Sequence, residues 1–251
     1  YGETIIKVIR CSSPAIAEMA KVFENTYRAV NIALVNEMAL LCDRMGISVW
    51  EMLDAAFTKP FGIQPFYPGP GVGGHCIPVD PFYLAWKARE YDFSTRFIEL
   101  AGEINLSMPY FVVQKAERIL GLQGKSLRGS KVLVLGVTYK EDSLDLRESP
   151  ALKVIQLLMK EGCEVEYYDP YMPSIEVQLQ NQGMYEGKQS VRLDSVSELS
   201  AEKVGSADLV AVLTGHSCVD YELVVRAARA VLDTRNAIRS ATMTIDNLVR
   251  L

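Results

Sequence analysis

Histidine is almost missing from this 251-residue chain, and cysteine is sparse. Only His75 and His216 occur, and the five cysteines (Cys11, Cys42, Cys76, Cys163 and Cys218) stand far apart with no CxxC pair. Such spacing excludes a structural zinc site, and no bound metal is expected. Scattered thiols, odd in number, fit a reducing compartment, so a cytoplasmic protein is expected. No apolar run approaches the ~20 residues that a membrane-spanning helix needs, and no secretory leader is read, so no membrane association is expected. A net charge of −5 offers no broad basic surface, which speaks against nucleic acid as a partner. Anionic ligands would need locally placed lysine or arginine. The dinucleotide fingerprint GxGxxG is read nowhere in the chain, so the chain is not expected to bind NAD by itself. The chain opens at Tyr1 rather than Met, and a fragment or processed product is expected.

What is present is ordinary in bulk and unusual in one place. A hydrophobic share of 49% with 23% charged residues describes a globular chain with room for one large or two ordinary domains. The unusual stretch is Pro68–Pro81, which reads PGPGVGGHCIPVDP. Its four glycines leave the backbone bare, so an anionic ligand could approach N–H groups closely. Cys76 follows them after His75, and Asp80 comes four residues later. A thiol so placed presents a nucleophile to whatever the loop holds, whereas a plain turn with a packed cysteine is the competing reading.

The first half reads as helical. Ser13 and Pro14 open a helix that Gly46 closes, with Ile16, Met19, Ala20, Phe23, Tyr27, Val30, Leu34, Met38 and Leu41 as its apolar stripe. At 1.5 Å per residue that helix is ~48 Å long, more than a small domain needs. Ser48 starts a second helix ending before Pro60. A third is expected over 82–91, and Ser94 should cap a fourth over 95–120, kinked or divided at Pro109. From Lys131 the pattern changes to apolar runs at 132–137, 164–168, 208–213 and 230–233, with helices at 149–160 and 220–229. This alternation predicts a doubly wound α/β sheet. The polar stretch 171–205 reads as a loop with a short helix. The organisation expected is a helical domain over 1–107, a bridging helix over 108–127 and an α/β domain over 128–251.

Three further groups could carry chemistry. Lys21 and Asn25 are four apart and share a helix face. Beside a buried stripe, the lysine could be desolvated into acid/base range and the amide could donate to an oxyanion, or both could simply be solvated. Asp80 could assist Cys76, or it could cap the helix that Pro81 begins. Lys140, after the strand at 132–137, and Arg235, after the strand at 230–233, lie at strand ends where open α/β sheets bind ligands. Arg147 precedes a helix start and could meet an anion or pair with Asp145 or Glu148.

Three of these segments, taken in order, are familiar: Glu18–Tyr27, Pro68–Pro81, and Gly136–Lys140 with Arg147–Pro150. Together they resemble the UDP-glucose/GDP-mannose dehydrogenase family over essentially the whole chain. Lys59–Gly62 and Gly74–Asp80 are most similar to its UDP-N-acetylglucosamine 6-dehydrogenase branch. The resemblance implies an all-helical central dimerisation domain followed by a Rossmann-like UDP-binding domain. It implies a four-electron, NAD-dependent oxidation of a sugar C6 alcohol to the uronic acid through a cysteine thiohemiacetal and thioester. By the same resemblance Cys76 is the nucleophile, Lys21 the acid/base, Asn25 an oxyanion donor, and Asp80 the group that positions water. Tyr67, Gly69, Gly71 and Gly73 would enclose the UDP-sugar, with Tyr139, Lys140 and Arg235 contacting it from the second domain. Arg147 would face NAD, which the family holds mainly through an N-terminal domain that precedes the matched segments, so this chain alone is expected to be inactive. A homodimer through helix 14–45 is also implied. The arginine that some members carry upstream of the loop has no counterpart in 59–65, and UDP-N-acetylmannosamine or UDP-glucose are the alternative substrates.

Overall fold

The computed structural model describes residues 7–180, 188–239 and 246–251. Its helical half contains α1 (Pro14–Met45), α2 (Val49–Ala56), α3 (Asp80–Ala88) with a 3₁₀ turn to Tyr91, and α4 (Arg96–Leu122). Ser13 Oγ accepts the Ile16 N–H at the start of α1, and Gly46 closes it in the left-handed conformation at φ 69°. Ser48 caps α2 in the same way through the Glu51 N–H. The fourth helix is capped at Thr95 rather than Ser94, without a side-chain bond. It also continues through Pro109 instead of dividing there.

The large apolar stripe of α1 is not its buried face, contrary to the periodicity reading. Asn25, Ala29, Ala33, Asn36, Ala39 and Cys42 are buried, whereas Phe23 is 66% and Leu34 55% exposed. Small side chains on the inner face let α1 lie close against α3 and α4, and the bulky ones point the other way.

The α/β half holds β1 (Lys131–Leu135), α5 (Pro150–Lys160), β2 (Glu164–Tyr168), β3 (Ser174–Gln180), β4 (Lys188–Asp194), α6 (Ala201–Ser206), β5 (Leu209–Val212), α7 (Tyr221–Ala227), β6 (Val231–Asp233) and β7 (Leu248–Arg250). The main sheet is parallel in the order β2-β1-β5-β6-β7. Its inner strands β1, β5 and β6 are buried on both faces, which explains their continuous apolar runs, whereas the edge strand β2 alternates. The 171–205 stretch is a correction: β3 and β4 pair antiparallel, Val177 opposite Val191, before α6. Residues 181–187 of that stretch lie outside the described set. β7 was not foreseen.

One apolar cluster runs from α1, α2 and α4 through α5 onto one face of the sheet, and a second covers the other face beneath α6 and α7. The join between the halves is also polar. Lys115 on α4, 7% exposed, donates to Asp43 of α1 at 2.8 Å and to the Arg250 carbonyl of β7 at 2.6 Å.

Candidate functional site

The strand order reverses at β1, with β2 on one side and β5 on the other. Loops leaving the carboxyl ends of strands at such a point enclose a crevice. Here the crevice is a cleft of about 590 Å³. Tyr139–Glu141 after β1, Thr214–Ser217 after β5 and Arg235–Arg239 after β6 form one wall, and Trp50, Tyr67 and Pro68 of the helical half form the other. Tyr67 stacks on Trp50 with centroids 6.0 Å apart and donates its hydroxyl to Asp54 at 2.7 Å. Lys140, Arg235 and Arg239 outweigh Glu141 and leave the lining of the cleft net cationic. Arg235 donates Nε–H to the Leu213 carbonyl at 3.0 Å, and burial lowers its pKa to about 10, so it stays charged at neutral pH.

The predicted residues Tyr67, Tyr139, Lys140 and Arg235 therefore meet in one place, but the glycines do not line it. Pro68–Gly71 and Gly74 are buried. A Cβ on Gly69 would lie 2.5 Å from Arg235 Nη1, one on Gly71 2.9 Å from Pro150 Cβ, and one on Gly73 2.6 Å from Tyr139 Cβ. The bare backbone thus admits protein, the second half of the chain, rather than leaving room for a ligand. Contrary to the sequence reading, Gly69–Gly74 does spell GxGxxG, but in the connection from α2 to α3, not in a strand-to-helix turn. The loop is also tied by hydrogen bonds. Gly69 N–H donates to Asn36 Oδ1 at 3.0 Å, and Asn36 donates to Asn105 at 2.9 Å, which donates to the Ala29 carbonyl at 3.1 Å. At the far end Gly74 N–H donates to the Arg147 carbonyl at 2.9 Å.

Cys76 is exposed, and its carbonyl accepts the Val79 and Asp80 N–H groups as the chain turns into α3. Asp80 does not cap that helix: its carboxylate accepts from Asn25 Nδ2 at 2.6 Å across to α1. Asn25 and Asn36 are eleven residues apart, three turns, so one face of α1 holds both ends of the loop. Asn25 and Asp80 thus meet through their side chains, and Cys76 joins Asp80 through its backbone carbonyl. Lys21 is the exception: its side chain is 59% exposed and pairs with Glu24 at 3.1 Å, so the expected desolvation is not met. Arg147 takes the ion-pair alternative. Its Nε and Nη2 both bond the Asp145 carboxylate, whose pKa falls to about 2 for that reason.

Sequence reading missed Trp50, His216, Tyr221 and Arg239 in the cleft and the Asn36–Asn105 relay behind the loop. Applying the strand-end rule after β5, as after β1, points to His216, and amides inside helical repeats are the signal for Asn36 and Asn105. Trp50 gave no signal of its own.

Among the described residues no group of His, Cys, Asp and Glu could hold a metal ion, and no helix is long and apolar enough to cross a membrane.

Residues 15–107 match the model of the UDP-glucose/GDP-mannose dehydrogenase family central domain, and residues 133–240 match that of its UDP binding domain. The chain belongs to this family. A UDP-N-acetyl-D-mannosamine dehydrogenase of Methanocaldococcus jannaschii is 39% identical over 95% of the chain and 51% of the relative. A UDP-N-acetyl-D-glucosamine 6-dehydrogenase of Pseudomonas aeruginosa is also 39% identical, over 65% of the chain and 38% of the relative. The solved UDP-D-ManNAc dehydrogenase of Pyrococcus horikoshii superposes with a TM-score of 0.75 at 31% identity, covering 94% of this chain and 51% of that one. The chain thus spans about half the length of these relatives. Both sugar names occur among family members of equal identity, so similarity does not choose between them.

Proposed function

We propose that this chain is the substrate-holding and thiol-bearing part of a UDP-sugar 6-dehydrogenase acting on UDP-N-acetylglucosamine. The carrying observation is the cationic cleft at the sheet's reversal point, in the segment that matches a UDP binding domain. Lys140, Arg235 and Arg239 suit a diphosphate, and the Tyr67–Trp50 stack offers an apolar face at the same opening. The M. jannaschii relative, matched over nearly the whole chain, favours the mannosamine epimer as a second reading.

In this reading Cys76 is the nucleophile toward a C6 aldehyde, and Asp80, held by Asn25, positions the water that later releases the acid. Lys21 serves as acid/base only once something covers it. The uncovered stripe of α1 (Ile16, Phe23, Leu34, Leu41) is a separate surface, roughly 150° round the helix from Lys21, and a second copy of the chain, paired along it, is the proposed partner.

NAD does not fit the residues present. A dinucleotide held in the Rossmann manner rests its pyrophosphate on the helix N-terminus after the first strand, but here the start of α5 is closed by the glycine loop, with Pro150 within 3.1 Å of the Cβ positions of Gly71 and Gly73. Hydride transfer is therefore assigned to no residue here, and NAD is proposed to be held outside these 251 residues. Titration calorimetry with UDP-N-acetylglucosamine and with NAD, separately, tests the reading. Heat with the sugar nucleotide and none with NAD is expected. Silence with the UDP-sugar, its epimer and UDP alike would end it.

A further inference from the structure

Beneath the cleft lies a buried pair that the catalytic reading does not use. His216 is 0% and Asp169 4% exposed. Asp169 follows β2, and its carboxylate accepts the N–H groups of Val137 at 2.7 Å, Tyr171 at 2.9 Å and Met172 at 3.1 Å. His216 Nε2 lies 3.0 Å from the same carboxylate, and Nδ1 accepts the Asp142 backbone N–H at 3.0 Å. A ring nitrogen that accepts an N–H carries a lone pair, so the proton sits on Nε2 and points at Asp169. Burial, the largest influence on Asp169, raises its pKa, but the bonds from His216 and the backbone outweigh it and keep the carboxyl ionised. The imidazole is thus neutral, oriented and bonded at both nitrogens.

What it holds is the segment after β1. Asp142 has φ 52°, an unusual conformation for a residue with a side chain, and its carboxylate also accepts the Ser217 N–H at 3.0 Å. Thr138 Oγ1 donates to the Lys140 carbonyl at 2.8 Å. Between these anchors stand Tyr139 and Lys140, two walls of the cleft. The arrangement parallels a metal-site histidine oriented by a carboxylate, with a backbone amide where the metal would be.

We propose that His216 is a positioning residue for nucleotide binding: with Asp169 it fixes Thr138–Asp142 so that Lys140 meets the diphosphate of a bound nucleoside diphosphate. This rests on the reading that the cleft takes a UDP-sugar, and it concerns the part common to every epimer.

The test uses UDP as the probe and calorimetric affinity as the readout. His216→Leu removes both polar nitrogens, whereas His216→Asn keeps an acceptor where Nδ1 was. A loss of roughly tenfold is expected for H216L, with H216N recovering most of it. In a Lys140→Ala background H216L should cost less than about twofold more, because His216 acts through that segment. Wild-type affinity in H216L, or losses that add in the K140A background, would overturn the proposal. Nitrogen NMR of the wild-type imidazoles is independent of variant folding, and exposed His75 is the internal reference. A fixed Nε2–H tautomer at His216 is expected, and the other tautomer or an average of the two would refute the geometry. If wild-type chain ignores UDP, the cleft reading fails, and the tautomer still reports on the pair.

Discussion

Two glycines of one loop should respond differently to the same methyl group. At Gly73 a Cβ meets the Tyr139 Cβ at 2.6 Å and the Glu148 carbonyl at 2.8 Å, neither of which can swing aside. Gly73→Ala is expected to destabilise the fold by about 1–3 kcal/mol, as overpacking does, read as a lower urea midpoint. At Gly69 the obstacle is the tip of Arg235, a flexible side chain. Gly69→Ala should leave the midpoint nearly unchanged and weaken UDP binding by displacing that guanidinium. Equal effects of the two on stability would contradict the packing account. Asn36→Ala strands the Gly69 N–H and Asn105 Oδ1 in a buried place, and a cost of about 1–3 kcal/mol is expected in the same assay. At this scale the sequence was legible wherever residue type implies chemistry: Cys76, Asp80, Lys140 and Arg235 were singled out by type and place, and Lys140 and Arg235 do line one cleft. It was not legible where meaning depends on what lies opposite. Glycine spacing reads the same whether the backbone admits a phosphate or a proline, and only the fold puts Pro150 against Gly71.

Helices and strands were recoverable in proportion to how local their signals are. α1 was legible to the residue because Ser13-Pro14 and Gly46 are caps with a mechanism, and β1 and β5 were legible as apolar runs. β3 and β4 were missed because the polar stretch around them carries no such run, and β7 because three residues give no periodicity. The face of α1 was misread for a physical reason. Apolar periodicity finds a stripe, and this helix has two, a small-residue one packed on α3 and α4 and a bulky one facing out. From that second stripe follows the prediction for the element. Sedimentation at micromolar concentration should find a dimer. Phe23→Glu with Leu34→Glu should give a folded monomer, since exposed positions in the protomer cost about ±0.5 kcal/mol or less when changed. A monomeric wild type, or a dimer that survives both charges, would remove α1 as the interface.

The molecule as a whole is held at the join between its halves, where α1, α4 and β7 converge on one ammonium. Lys115 is satisfied by Asp43 and the Arg250 carbonyl, and Arg118 adds a second bond to Asp43 at 3.0 Å. Burial alone would raise the pKa of Asp43, but the two cations beside it lower it below the ordinary value. A carboxyl whose folded pKa is depressed binds fewer protons folded than unfolded. Its contribution is therefore complete above the unfolded value near 3.9 and is lost as pH falls through the folded one. Asp208, bound by Lys125 and Arg229, is depressed as well and acts in the same direction. Urea midpoints should accordingly hold steady from neutral pH to about 5 and drop below about 4. Asp43→Asn leaves Lys115 buried with a carbonyl and a neutral amide, and a loss on the order of 3–5 kcal/mol at pH 7 is expected. The same variant should show a shallower fall below pH 4, because one of the groups that titrate on unfolding has been removed. If its acid slope matched that of the wild type, Asp43 would not be a source of the acid lability, and the clamp would owe its strength to the Arg250 carbonyl instead.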